Sequence, residues 1–72
     1  MSKLPRAKEV EKVLYRLGYF LSRQSGSHAI FKNKEGKRIT LSIHGGRTIS
    51  LGVFNAIIKD LGLTEKDFWK IK

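Results

Sequence analysis

The sequence predicts an α+β domain of order α-β-β-β-α with a short C-terminal helix. Its helices pack on one face of a three-stranded antiparallel sheet and leave the other face open. Three observations lead there: apolar residues recur at helical spacing near both ends, they alternate in the middle, and turn residues cut the middle into three short pieces. The 72 residues match the length of one domain, spanning 1–72. At 40% hydrophobic residues the chain has enough apolar side chain to fold, and too much for a disordered basic tail.

Val10, Val13, Leu14 and Leu17 repeat at i, i+3, i+4, i+7, which predicts an amphipathic helix over Arg6 to Leu17. Pro5 precedes it, where a fixed φ suits a helix start, and Gly18 closes it. Tyr19 to Gln24, Ser27 to Lys32 and Lys37 to Ile43 read as strands, separated by Ser25-Gly26 and Asn33-Lys34-Glu35-Gly36. Ser50 can cap a helix carrying Phe54, Ile57, Ile58 and Leu61, which Gly62 ends. Thr64 with Asp67 three residues on is a capping-box signature for a last helix that buries Phe68, Trp69 and Ile71.

The second turn sets the expected register. Asn first and Gly last suits a type I turn followed by a left-handed Gly, which places Phe31 opposite Ile39 and Ala29 opposite Leu41, all four inward. His28, Ile30, Lys32, Arg38, Thr40 and Ser42 then share the open face. A two-residue Ser25-Gly26 turn would put Arg23 opposite His28. By the same alternation Phe20 falls with Phe31, Phe54 and Phe68 in the core, and Tyr19 falls on the open face, as a base-stacking residue or a half-buried structural one.

Lys and Arg number 15 against 6 acids, a net charge of +9. Six of those basic residues and a single acid fall between 23 and 47, a local charge of +5, against +3 before and +1 after. Charge concentrated on the sheet and its loops points to a polyanion, with Arg23, Lys32, Lys34, Lys37, Arg38 and Arg47 as phosphate contacts. The blander account is a solvated sheet face, and the bias toward one parity argues against it. A duplex-DNA reader is disfavoured because no recognition helix shows a basic stripe.

Other classes fall away. There is no cysteine, hence no disulfide, Cys-based zinc site or thiol chemistry. Glu9 and Glu11 do not share a helix face, Asp60, Glu65 and Asp67 sit near helix ends, and Glu35 is in a turn, so no carboxylate cage for a metal is expected. Neither a cofactor nor a small-molecule ligand is called for. No apolar run is long enough to span a membrane, and Met1-Ser2-Lys3-Leu4-Pro5 has no apolar signal core, which points to the cytoplasm.

A lone histidine is more often structural than catalytic. His28 stands out because it follows the small residues Ser25-Gly26-Ser27 and lies on the basic open face. An imidazole there can take a proton from a ribose 2′-hydroxyl while cations stabilise charge developing on the phosphate. His44, before Gly45-Gly46, reads as a loop hydrogen-bonder or an RNA contact. Ser27 lacks partners for a nucleophilic triad and serves better as an RNA contact. The expected RNA-binding set is Arg23, Ser27, Lys32, Lys37, Arg38, His44 and Arg47.

The runs Leu4-Pro5, Gly18-Tyr19 and Arg23-Gln24-Ser25-Gly26-Ser27-His28 resemble the HicA family of mRNA-cleaving toxins. The likeness continues through His44-Gly45-Gly46, Ile49, Gly52, Ile57, Leu61-Gly62-Leu63 and Asp67-Phe68. Departures are Ala29, where many relatives carry a bulkier or polar residue, and Val53-Phe54. The resemblance implies a fold similar to double-stranded-RNA-binding domains and the toxin of a type II toxin–antitoxin pair. It further implies cleavage of mRNA that inhibits translation, His28 as the catalytic residue, and a HicB-like antitoxin that covers the active face. The competing class is a non-catalytic RNA-binding module using the same face; the Gly26-Ser27-His28 element is what separates the two.

Overall fold

Among the residues the structure describes, a helix, three antiparallel strands and two further helices follow one another: α1 (Ala7–Arg16), β1 (Phe20–Ser25), β2 (His28–Lys32), β3 (Arg38–Ser42), α2 (Leu51–Leu61) and α3 (Glu65–Ile71). The structure, a computed structural model, describes residues 3–43 and 47–72. The sheet order is β1-β2-β3, as expected for a meander.

The helix ends follow from local chemistry. Ser50 Oγ accepts from the Val53 N–H at the start of α2, and Gly62 ends that helix. Thr64 and Asp67 form the reciprocal capping box at α3, each side chain accepting from the other's backbone N–H at 3.1 Å. At α1 only half of such a box exists. Glu9 Oε1 accepts from the Arg6 N–H at 2.9 Å, and the Arg6 guanidinium, having no acceptor, returns nothing.

The core lies between the helices and one sheet face. Ala29, Phe31, Ile39 and Leu41 project inward from the sheet against Val10, Val13 and Leu14 of α1 and Phe54, Ile57 and Ile58 of α2. Phe68 closes it edge-on to Phe54, with centroids 5.0 Å apart. Leu17 departs from its expected place: it is the C-cap of α1 and is exposed, and Ala7 takes its part in the buried row. Among the described residues no helix is long and apolar enough to cross a membrane.

Register decides which side chains reach the open face. β2 and β3 pair as the Asn33–Gly36 turn predicts: Phe31 with Ile39, Ala29 with Leu41, Ile30 with Thr40, Lys32 with Arg38 and His28 with Ser42. In that turn Gly36 has φ +84°, and Asn33 Oδ1 accepts from the N–H groups of Glu35 and Lys37.

Two expectations for β1 are corrected. The turn is Gly26-Ser27, not Ser25-Gly26, so Ser25 faces His28 and Arg23 faces Ile30. Gly26 has φ +58° and Ser27 does not, the pattern of a two-residue hairpin turn with Gly in its first central position. The second correction comes from a bulge at Ser22, between Leu21 and Arg23. An extra residue reverses alternation on its N-terminal side. Phe20 is therefore not in the core: it faces Lys32 on the open side and is 50% exposed, while Tyr19 is buried at 7%. Burial, with help from the charges of Glu35 and Asp60, pushes the Tyr19 hydroxyl above its ordinary pKa.

Candidate functional site

The pairings lay the open face out as three rows across the strands. The first is Ser25, His28 and Ser42; the second Arg23, Ile30 and Thr40; the third Phe20, Lys32 and Arg38. Ladder hydrogen bonds run from Ile43 N–H to Ser27 C=O at 2.7 Å and from Asn33 N–H to Lys37 C=O at 3.1 Å. The open-face pairs of β2 and β3 alternate with these positions. They are the non-hydrogen-bonded pairs, in which Cα atoms lie about 4.5 Å apart and side chains approach most closely. His28 thus stands close beside the Ser42 side chain and across from Ser25.

His28 is exposed at the first position of β2, held by the tight turn before it and the β3 ladder beside it. Its two serine neighbours can donate to or accept from an imidazole or a phosphate oxygen. Arg23 stands one row away, Lys32 and Arg38 two rows away, all on the same face. No acid stands in these three rows: Glu35 is in the far turn, Glu9 and Glu11 are on α1, and Glu9 is committed to Lys72 at 2.8 Å and to the Arg6 N–H. These two bonds hold the Glu9 carboxyl below its ordinary pKa of 4.5, with the Lys72 contact the larger cause.

Other expected RNA contacts are placed elsewhere. Lys37 has inward parity, and its ammonium donates to the Asp60 carbonyl near the end of α2, so it does not join the open-face cations. Arg47 lines a cleft of about 390 Å³ between the beginnings of α1 and α2, together with Thr48, Ser50 and Ser42. Ser42 is thus shared by the cleft and the His28 row. Ser27 sits in the turn beside His28, partly exposed. His44, with Gly45 and Gly46, lies outside the described residues. Among the described residues no group of three His, Asp or Glu side chains is placed to hold a metal ion.

Two features of the surface escaped the sequence reading. Phe20 is the exposed aromatic of the open face, in place of Tyr19. Lys8, Lys12 and Arg16 follow one another at i, i+4, i+8 on α1, all exposed, so a basic helical row does exist. The four-residue spacing was there to be seen.

An α-β-β-β-α chain with helices on one side and a cationic, histidine-bearing sheet face on the other has the architecture of a double-stranded-RNA-binding-like domain. The family model described as "HicA toxin of bacterial toxin-antitoxin" matches residues 7–63 of the 72, and the chain belongs to the HicA toxin family. It is thus a toxin of the toxin–antitoxin class, for which an antitoxin partner exists. No curated protein matches the sequence.

Proposed function

We propose that this toxin is an endoribonuclease, its 72 residues acting as one catalytic domain, that cleaves mRNA in the cytoplasm and so stops translation. The observation that supports this most is the row Ser25, His28 and Ser42 on the face that also presents Arg23, Lys32 and Arg38. His28 Nδ1 or Nε2 takes the proton of a ribose 2′-hydroxyl. The 2′-oxygen then bonds to the adjacent phosphorus, the bond to the 5′-oxygen breaks, and that oxygen leaves after taking a proton from water. The cationic side chains and serine hydroxyls stabilise the charge that builds on the phosphoryl oxygens. The reaction needs no metal, since the attacking oxygen is the substrate's own and the base is a side chain. A HicB-like antitoxin is the natural inhibitor, placed over the same face.

The test is cleavage of a defined mRNA by purified protein in EDTA, with analysis of the ends. The expected products carry a 2′,3′-cyclic phosphate, or its hydrolysis product, and a 5′-hydroxyl. A substrate with deoxyribose or 2′-O-methyl ribose at the scissile position should resist. RNA bound tightly and left intact would leave the protein a non-catalytic RNA-binding module. Activity that disappears in EDTA, or efficient cleavage of DNA, would overturn the mechanism.

A further inference from the structure

The ring of Phe20 has no structural task that accounts for its position. It is half exposed on an edge strand, outside the core cluster, and the bulge at Ser22 turns it outward. Across the sheet it meets Lys32, and beyond that Arg38, so an apolar face lies in line with two cations. An exposed apolar ring flanked by cations fits poorly to an apolar protein surface and well to a single-stranded nucleic acid. Such a strand offers a π-face from every base and a negative charge from every phosphate. We propose that Phe20 is a base-stacking platform for single-stranded RNA, with Lys32 and Arg38 holding the phosphates beside the stacked base. This rests on the endoribonuclease reading above and names a contact that reading does not contain.

The grid also fixes where that base belongs. Lys32 and His28 are four residues apart on β2, about 13 Å along the strand. A nucleotide has twice as many backbone bonds per repeat as an amino acid, so an extended nucleotide spans about two strand residues. An RNA strand running along β2 with its scissile phosphate at His28 therefore places on Phe20 a base about two nucleotides away. Between them, the middle row offers Arg23 and Thr40 to the intervening phosphate, with the partly buried Ile30 at its centre. Phe20 then influences which phosphate is presented to His28, because every base has a π-face but purines stack more extensively.

Short single-stranded oligoribonucleotides carrying 2-aminopurine at successive positions test this on a His28→Ala background, where the RNA stays intact. Fluorescence should be quenched most at one position, about two nucleotides from the phosphate that the wild-type protein cleaves. Phe20→Ala should abolish that quenching and weaken binding about 5–10-fold, the lower part of the range for one stacked base. Phe20→Trp should retain both, and Phe20→Leu should behave like Phe20→Ala. A half-exposed residue leaves no core cavity when truncated, and the Leu and Trp variants keep apolar volume if Phe20→Ala folds poorly. Wild-type binding and quenching in Phe20→Ala would overturn the proposal. So would a Phe20→Leu variant equal to the parent, since that is the behaviour of a merely apolar contact. Loss of antitoxin binding with RNA binding unchanged would assign the ring to the protein partner instead. If the His28→Ala parent binds no RNA while the wild type cleaves none, the endoribonuclease reading fails, and this inference with it. If the wild type cleaves RNA and the quenching profile is flat, only this inference fails.

Discussion

Ser25 and His28 face each other across the Gly26-Ser27 turn, so the imidazole stands at the end of the hairpin with a hydroxyl-bearing residue on each side, Ser25 on β1 and Ser42 on β3. A side chain at the first position of a strand, next to a two-residue turn, is held by backbone geometry and still reached from outside. That combination suits a proton-transfer group that must meet a polymer.

Replacing His28 by Ala should reduce RNA cleavage by about 10²–10⁴-fold, the range for loss of a general base. Because His28 is exposed and contributes nothing to the core, thermal unfolding should stay within about 4 °C of wild type. Single-turnover cleavage and a melting curve on the same sample check both halves. Full activity in the folded variant would remove His28 from the chemistry.

Gly26→Ala tests the turn. An added Cβ would meet nothing within 4 Å, so the cost is conformational, arising from φ +58°. A left-handed non-glycine residue costs about 1–2 kcal/mol, and each 1 kcal/mol corresponds to roughly 4–8 °C in a domain of this size. Gly26→Asn should cost less, because Asn tolerates the left-handed region better. Cleavage should fall in both variants in the same order as melting temperature, since the turn positions His28.

The open-face cations should set salt dependence. Removing Arg23, Lys32 or Arg38 should each reduce the log–log slope of RNA affinity against salt by about 0.7 for a single strand. Lys66 and Lys70 on α3, behind the core, should have little effect. Lys72 is unsuitable as a control because it pairs with Glu9. A larger effect from Lys66 and Lys70, measured by filter binding across salt concentrations, would show that the sheet face has been misassigned.

Glu9 should make stability depend on acid. Its folded-state pKa lies below the ordinary 4.5, so the charged form favours the folded chain. That contribution is fully present above pH 4.5 and disappears as pH falls through the lowered folded value. Glu9→Ala should therefore melt about 2–6 °C lower than wild type at pH 7, through loss of the half capping box and the Lys72 pair. The gap should close at the acid end. Melting curves at intervals from pH 7 to pH 3 measure it; a gap independent of pH would mean that the packing of the side chain, not its charge, matters.

The antitoxin should compete with RNA. An inhibitor that neutralises the Arg23, Lys32 and Arg38 face must present acids to it, and its association rate should fall as salt rises. A stable complex hides about 800 Å² on each partner, against a total accessible surface of 4957 Å² here, so such a partner would cover the His28 rows as a whole. Titrating the antitoxin into a labelled RNA complex of the His28→Ala variant should release the RNA. A ternary complex at saturation would require inhibition from another surface.

The sequence by itself determined the element order, the helix caps and the pairing of β2 with β3. Each is written in local chemistry: helical spacing at Val10, Val13 and Leu14, side-chain oxygens at Ser50 and Thr64, and the Asn33–Gly36 turn, whose geometry couples directly to register. It also placed His28 on the basic face, because that register propagates without interruption from the turn to the end of β2. Only the tertiary structure decided the faces of β1. Strict alternation puts Tyr19 outside and Phe20 inside; the bulge at Ser22 reverses them. Nothing local to Ser22 announces a bulge, since it arises from satisfying two demands at once. Tyr19 must enter the core beside the end of α1, where its N–H donates to the Leu14 carbonyl at 2.9 Å, and Arg23 and Ser25 must stay in register with β2. One extra residue meets both, and with it Phe20 comes to lie on the open face. Lys37 was likewise decided by packing. Its inward parity and the nearby carbonyl of Asp60 draw its ammonium to the helical side, a partner 23 residues away that no local pattern could reveal.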